Sequence, residues 1–189
     1  MHPVINTQNP DTLIIAQTAN WIKSVVIGCN FCPFAAKAVQ MKSIRYVVLH
    51  GESIKDMLTT LITECICLDN SEETETTIII LPNNFPDFNN YLDLIDKAER
   101  LLAEEDYEGI YQLASFHPLY CFEGAPKDDA ANYTNRSPYP MLQILREESI
   151  TKALENFPDP DSIPEKNIEY ARKKGLVYME VLRAKCMSS

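Results

Sequence analysis

The chain has 189 residues, of which 46% are apolar and 23% are charged. A chain of this size removes roughly 70% of its unfolded surface from water when it folds, so it can build its own hydrophobic core. The composition is ordinary for a globular protein and predicts a single domain spanning residues 1–189. No apolar run approaches the length of about 18 residues that a membrane-spanning helix needs.

The net charge is −10, from 17 basic and 27 acidic residues. Proteins that bind nucleic acid or an anionic membrane usually present a basic face, because they neutralise phosphates. The basic residues here are scattered, so neither partner is expected, and a small-molecule ligand is left open. The start of the chain, Met1–Asn6, has no basic end followed by an apolar core. A signal peptide is therefore not predicted, and we expect a cytoplasmic protein.

The first predicted helix begins at Pro10, because Asn9 can cap it and proline fits the first helical position. Gly28 is expected to end this helix. A short second helix is predicted from Pro33 to Val39, which would place Cys32 at its N-cap.

Three predicted strands alternate with helices farther along the chain. They are Ser43–His50, Thr77–Leu81 and Ile110–Phe116, and the second is a continuous apolar run of the kind buried on both faces. Helices with start signals at Ser53 and Pro86 separate them.

Beyond the third strand, no regular element is predicted before Pro140. A helix containing Met141, Leu145 and Ala153 is predicted there. Pro158–Asp161 is predicted as a turn, and Ser162 with Glu165 forms a capping-box pattern that starts the last helix. Gly175 is expected to bend that helix.

Strands separated by helices of this length favour crossover connections. The predicted fold is α/β, with a small, mainly parallel sheet of three or four strands, flanking helices and two C-terminal helices. The C-terminal ends of parallel strands meet at one edge, where ligands of open α/β sheets tend to bind. This edge would receive His50, Pro82–Asn84 and His117.

The chain has six cysteines, but without an export signal a disulfide framework is not expected. Cys29 and Cys32 form a CxxC pattern, which suggests redox chemistry or half of a zinc site. A structural zinc site needs about four ligands, and the chain has no second CxxC. His50, His117 or Cys121 would have to complete the ligand set.

Cys32 has a second interpretation, as a reactive thiol. At a helix N-cap, exposed N–H groups and the helix dipole stabilise a thiolate. The alternative is a tight turn in which Cys32 packs against Phe31 and Phe34.

The stretch from His117 to Tyr139 is longer than most loops and rich in aromatic residues, so it is expected to be ordered. It could form a binding lid, or an Ω-type loop that simply covers the sheet end. His117 could act as general base to Cys32, or it could hydrogen-bond the loop backbone.

Arg136 precedes the predicted helix entrance at Pro140. Its guanidinium could bind a carboxylate or phosphate with help from that helix N-terminus, or it could form a salt bridge with Asp128 or Asp129. The other candidate substrate-binding residues of this segment are Tyr133, Asn135 and Ser137.

Three strings in the chain resemble one known family. They are Cys32-Pro33-Phe34-Ala35, Ser115-Phe116-His117-Pro118, and Asn132-Tyr133-Thr134-Asn135-Arg136-Ser137-Pro138-Tyr139-Pro140-Met141-Leu142. They are similar to family 1415 of the bacterial domains of unknown function, from about Trp21 to Gly175. The resemblance implies a bacterial cytoplasmic protein and supplies no activity, substrate or cofactor. The family pattern has an apolar residue in place of Cys29, which weakens the CxxC interpretation.

The leading hypothesis is a thiol-dependent small-molecule enzyme that acts on an anionic substrate. Cys32 would be the nucleophile, His117 its base and Arg136 the anchor for the anion. One alternative is a non-catalytic module that binds a ligand or a protein through the same loop. The other is a metal-binding protein that uses Cys32 and His117.

Overall fold

A four-stranded sheet lies at the centre of the chain in a computed structural model, which describes residues 9–51, 53–155 and 159–188. The α/β class is confirmed, but the expectation of a mainly parallel sheet is wrong. Strand β1 pairs parallel with β2, whereas β4 lies between β2 and β3 and is antiparallel to both. The strands are β1 (Ile44–Val48), β2 (Thr76–Ile80), β3 (Tyr111–Phe116) and β4 (Met141–Arg146).

Strand β4 replaces the helix that was predicted after Pro140. Its sequence, Met-Leu-Gln-Ile-Leu-Arg, is rich in good helix formers, which explains the error. Met141, Leu142 and Ile144 are all fully buried, because both edges and both faces of the strand are covered. Tertiary burial thus overrides local propensity, and a helix forms only from Glu147 onward.

Helices cover both faces of the sheet. The first face, which we call the α3–α4 face, carries α3 (Ile54–Asp69) and α4 (Phe88–Glu104). The second, the α1–α7 face, is covered by α1 (Pro10–Trp21), a π-helical segment (Ile22–Ile27), α2 (Ala35–Met41), α6 (Ile163–Lys174) and α7 (Leu176–Lys185). The other helices are α5 (Glu147–Leu154) and two 3₁₀ helices, Ala130–Thr134 and Pro160–Ser162. None of the described helices has the length and apolarity needed to span a bilayer.

The apolar run in β2 supplies both cores, as its continuous pattern predicted. Ile78 and Ile80 belong to the core of the α1–α7 face, and Ile79 and Leu81 to the core of the α3–α4 face. Side chains alternate between the faces of a strand, so every residue of this run is buried. Each large apolar side chain buried in this way contributes roughly 1.5–3 kcal/mol.

Most of the predicted helix boundaries are confirmed. The side chains of Asn9 and Ser53 cap their helices by accepting backbone N–H groups, each at 3.1 Å. The first helical region ends before Gly28, after its last turns widen into the π-helical segment. Gly175, at φ +86°, breaks the C-terminal helix into α6 and α7 instead of merely bending it.

Two predictions near the C-terminal helices have other outcomes. The prediction of a capping box at Ser162 is wrong. The Ser162 hydroxyl donates to the Asp159 carbonyl at 2.8 Å and accepts no backbone N–H of the helix that follows. Pro158 of the predicted turn and the segment Met1–Asn6 lie outside the described residues.

The three predicted strands still run in the same direction, because β4 is antiparallel to both of its neighbours. Their C-terminal residues Val48, Ile80 and Phe116 therefore end at one edge, where β4 begins with Met141. We call this the C-terminal edge. The expected gathering of strand ends is confirmed, although β2 and β3 do not touch.

Glu64 of α3 is a nearly buried carboxylate, 4% exposed, that depends on Arg45 of β1. Arg45 donates from Nε to Oε2 at 2.7 Å and from Nη2 to Oε1 at 3.3 Å, and the Thr77 hydroxyl donates to Oε2 at 3.3 Å. The pair ties the edge strand β1 to α3.

We expect Arg45→Met to lower the free energy of unfolding by about 1–3 kcal/mol, because it leaves a buried carboxylate short of donors. Urea unfolding measures this change. The control is Arg100→Met on the exposed side of α4. Adding Glu64→Gln to Arg45→Met should recover part of the loss, and equal effects of the two arginine variants would contradict the role of Glu64.

Candidate functional site

A cleft of about 340 Å³ opens at the C-terminal edge of the sheet. Five of the chain's 12 prolines line it. Because proline fixes its own backbone φ angle, these walls are stiff and preorganised before any ligand arrives. The lining residues are Pro82, Asn83, Asn84, Pro86, His117, Pro118, Pro138, Tyr139 and Pro140.

The segment that follows β2 forms one wall of the cleft. Asn84 donates its side-chain amide to the Gly51 carbonyl, which joins this segment to the end of β1. The Asn83 side chain lies 3.2 Å from Nδ1 of His50, whose Nε2 lies 2.6 Å from an Asp11 carboxylate oxygen. His50 therefore reaches the same edge as His117, as the strand directions predicted.

The His117 ring is held at both nitrogens by backbone groups. Nε2 donates to the Phe85 carbonyl at 2.8 Å, and Nδ1 accepts from the Leu119 N–H at 3.0 Å. The residue is 1% exposed, and the centroids of the Phe88 and Tyr91 rings lie 5.2 and 5.0 Å from that of its ring. Burial lowers the pKa of His117, so the ring is neutral at pH 7. Its hydrogen bonds match the alternative in which it orders the loop.

Cys32 is half-buried against the core of the α1–α7 face. Helix α2 begins at Ala35 with Phe34 as its N-cap, so the predicted N-cap position of Cys32 is wrong. Burial raises the pKa of the Cys32 thiol, and the backbone N–H groups of Phe34 and Ala35 lower it by less. The thiol is therefore protonated at neutral pH.

The structure does not bring Cys32 and His117 together. Cys32 packs on the α1–α7 face, whereas the His117 ring packs against two α4 residues on the opposite face. Neither ring nitrogen of His117 has a free position for a thiol, because backbone groups occupy both. The arrangement lacks the contact near 3 Å that a nucleophile and its base need.

Arg136 does not line the cleft, and its guanidinium joins two other parts of the same loop. Nε donates to the Tyr120 carbonyl at 2.9 Å and Nη2 to the Lys127 carbonyl at 2.6 Å. The helix N-terminus expected beside it is absent, because the segment that follows is β4. The alternative salt bridge is also wrong, since the Asp129 carboxylate pairs with Arg172 at 2.7 Å and Asp128 makes no ion pair in the described structure.

The other three predicted binding residues also organise the loop. Asn135 donates its side-chain amide to the Ser115 carbonyl at 3.3 Å, and its own carbonyl accepts the His117 N–H at 3.2 Å. Ser137 is fully buried and donates to the Tyr139 carbonyl. Tyr133 is 5% exposed and lies in the core of the α1–α7 face. None of the three lines the cleft.

Of the predicted set, only His117 lines the cleft. Site prediction missed Asn83 and Asn84, although both had been placed at this edge by strand direction. A usable signal was available, because two adjacent amide side chains stand between a buried strand and Pro86. In residues 9–51, 53–155 and 159–188, no group of three or more histidine, cysteine or acidic residues could hold a metal ion.

We expect the stability of the protein to depend on pH through His117. In the unfolded chain the histidine has a pKa of about 6.5, which is higher than the pKa of His117 in the folded protein. The stability supplied by the neutral ring is present above that pH and is lost as the pH falls through the folded pKa. Between about pH 8 and about pH 5, the wild-type free energy of unfolding should therefore fall partly because of His117. In His117→Gln this contribution should be absent, as measured by urea unfolding at each pH. The control His50→Gln should keep it, and identical pH profiles for wild type and His117→Gln would contradict the assignment.

We expect Cys32 to react with iodoacetamide at pH 7 several-fold more slowly than the cysteine of an unstructured peptide with the same neighbours. The reason is that the thiolate is the reacting form, and burial raises the thiol pKa. Peptide mapping by mass spectrometry gives the rate for each cysteine. A Cys32 rate equal to or above that of the peptide would restore the activated-thiol hypothesis.

Comparison with known proteins gives one family. No curated protein and no solved structure matches the chain. The model of the family described as "Protein of unknown function (DUF1415)" matches residues 13–180, which run from within α1 to within α7 and include the cleft. The chain therefore belongs to this family, as its Asn-Arg-Ser-Pro-Tyr-Pro string indicated.

Proposed function

We propose that the chain binds an uncharged small molecule in the cleft at the C-terminal edge. The observation that carries this proposal is the convergence of five prolines and two asparagines at the edge where three strands end. This is where ligands of open α/β sheets most often bind. A cleft of about 340 Å³ lies in the range of small-ligand sites.

The hydrogen-bonding groups of the cleft are amides. Asn84 uses its Nδ2 on the Gly51 carbonyl, so its side-chain carbonyl oxygen is the group left for a ligand donor. Asn83 stands beside it and is exposed. Proline rings offer flat apolar surface around these groups. A ligand with a flat body and a donor–acceptor edge, such as a heterocyclic amide, fits this combination.

The charge of the site favours an uncharged ligand. No lysine, arginine, aspartate or glutamate lines the cleft, and burial keeps His117 neutral. The chain as a whole carries −10, which disfavours an anion that has no local cation to bind it. The expected anchoring of an anionic substrate in this cleft by Arg136 has no support, because Arg136 does not line it.

Binding fits the cleft better than thiol chemistry does. Cys32 is not part of the lining, and the Tyr139 hydroxyl, the one side-chain hydroxyl of the lining, donates to the Gln17 side chain. No group of the lining therefore has the activated nucleophile and adjacent base that covalent catalysis requires. The proposal is thus the non-catalytic ligand-binding alternative, with a small molecule as the ligand.

The test compares nicotinamide with nicotinate, which have nearly the same shape and differ in charge. In ¹H–¹⁵N NMR titrations, we expect nicotinamide to shift the signals of Asn83, Asn84 and His117 with a Kd on the order of 1 mM, ordinary for a ligand of this size. Nicotinate should bind at least several-fold more weakly.

Two exposed asparagines provide matched variants. Asn83→Trp fills the cleft and should abolish the shifts, whereas Asn89→Trp places the same side chain on α4, outside the lining, and should preserve them. The proposal fails if nicotinamide does not shift the cleft signals at about 10 mM, or if Asn83→Trp binds nicotinamide as well as the wild type does.

A further inference from the structure

Two arginines lie close to the ring of one tyrosine, Tyr133 of the loop His117–Tyr139. The Arg136 guanidinium carbon lies 4.8 Å from the Tyr133 ring centroid, and that of Arg183, from α7, lies 5.8 Å from it. Both contacts are within the range of cation–π attraction. Tyr133 is itself buried, so both cations pack against a ring that the core holds in place.

Neither arginine has a carboxylate partner among the described residues. Arg136 donates to the Tyr120 and Lys127 carbonyls, and Arg183 donates from Nη1 to the Pro118 carbonyl at 2.7 Å. This is unusual for a chain with 27 acidic and 17 basic residues, where a nearby carboxylate is easy to supply. The loop contains three carboxylates, Glu123, Asp128 and Asp129, and only Asp129 forms an ion pair among the described residues, with Arg172.

The donors of this pair are incompletely used. Arg183 Nε is buried and has no hydrogen-bond partner within the described ranges. In that same part of the chain, Arg136 Nη1 and Arg183 Nη2 make no hydrogen bond either. A guanidinium has five N–H donors in a planar fork that suits carboxylate and phosphate oxygens. The N–H donors of Arg136 and Arg183 that make no hydrogen bond are therefore available to an acceptor from a ligand.

The electrostatics point the same way. Burial lowers the pKa of Arg183, the positive charge of Arg136 lowers it further, and Tyr133, Glu180 and Cys186 partly oppose them. Arginine stays charged in proteins, so the protein holds two like charges together in a half-buried place. A bound anion would relieve both the repulsion and the missing hydrogen bonds.

We propose that Arg136 and Arg183 form an oxyanion-binding site beside Tyr133, for the phosphate or carboxylate group of a small ligand. The site is separate from the cleft, although Pro118 contributes its ring to the cleft and its carbonyl to Arg183. Arg136 keeps the anion-binding role that the sequence suggested. Its partner is an arginine of the last helix instead of a helix N-terminus.

The test uses inorganic phosphate and acetate as probes, with sodium chloride added to equal ionic strength. The arginine Nε–H signals are followed by ¹H–¹⁵N NMR. We expect at least one probe to shift the Arg183 and Arg136 signals saturably and to leave that of Arg100 unchanged. Tighter phosphate binding would indicate a phosphorylated ligand, and equal or tighter acetate binding a carboxylate ligand. If neither probe shifts the two signals beyond the effect of sodium chloride, the proposal is overturned.

Variants provide the second arm. Arg183→Gln should raise the Kd of the probe that binds about tenfold, because charge-assisted hydrogen bonds are lost. Arg183→Lys should raise this Kd by less. Arg100→Gln, on α4, should have no effect. Unchanged affinity in Arg183→Gln would also overturn the proposal. If Arg183→Gln fails to fold, the Kd of the probe in Arg183→Lys and the NMR titration of the wild type still test the oxyanion site. Nicotinamide binding should persist in Arg183→Lys, so failure of one site is distinguishable from failure of the other.

Discussion

The position of β4 between β2 and β3 determines most of the remaining structure. Because β4 is antiparallel to both neighbours, the chain must turn back at the C-terminal edge after β3 and re-enter the sheet from that edge. The long segment from His117 to Pro140 makes this return. Tyr91 of α4 fixes the point of return, since its hydroxyl donates to the Met141 carbonyl at 2.6 Å and accepts the Phe116 N–H at 3.2 Å. The cleft is the space that this return leaves beside the end of β2.

Apart from the short 3₁₀ helix Ala130–Thr134, the segment must satisfy its backbone groups without regular secondary structure. The polar side chains of the segment do this work. Asn132, which is fully buried, accepts the Phe122 N–H at 3.0 Å and donates to the Pro126 carbonyl at 2.9 Å. His117, Asn135 and Arg136 make comparable bonds to backbone groups. His117, Asn135 and Arg136, which the sequence suggests as site residues, therefore stabilise the loop through hydrogen bonds to backbone groups.

Much of the fold follows from local rules, and the sequence predicts it where those rules decide. The start signals at Asn9 and Ser53 and the buried run in β2 depend on neighbours in the chain. Strand β4 could not be predicted in this way, because its helix-forming residues are overruled by pairing partners that are distant in the chain. The same limit affected the site. Local spacing cannot reveal that Cys32 and the His117 ring pack against different cores, or that Arg183 of the last helix reaches Tyr133.

Polar groups that the fold leaves without a partner say more about function than polar groups that are merely present. Buried donors and acceptors are nearly always paired in native proteins, and an exception has a cost that folding alone does not explain. His117 has both nitrogens satisfied and therefore no chemistry to offer a ligand beyond its ring edge. Arg183 keeps a buried Nε with no partner in the described structure, and Asn84 lines the cleft while its side-chain N–H donates to the Gly51 carbonyl. The two proposals therefore assign ligand groups of different charge to the two places, an anion to the arginines and an uncharged group to the amides of the cleft.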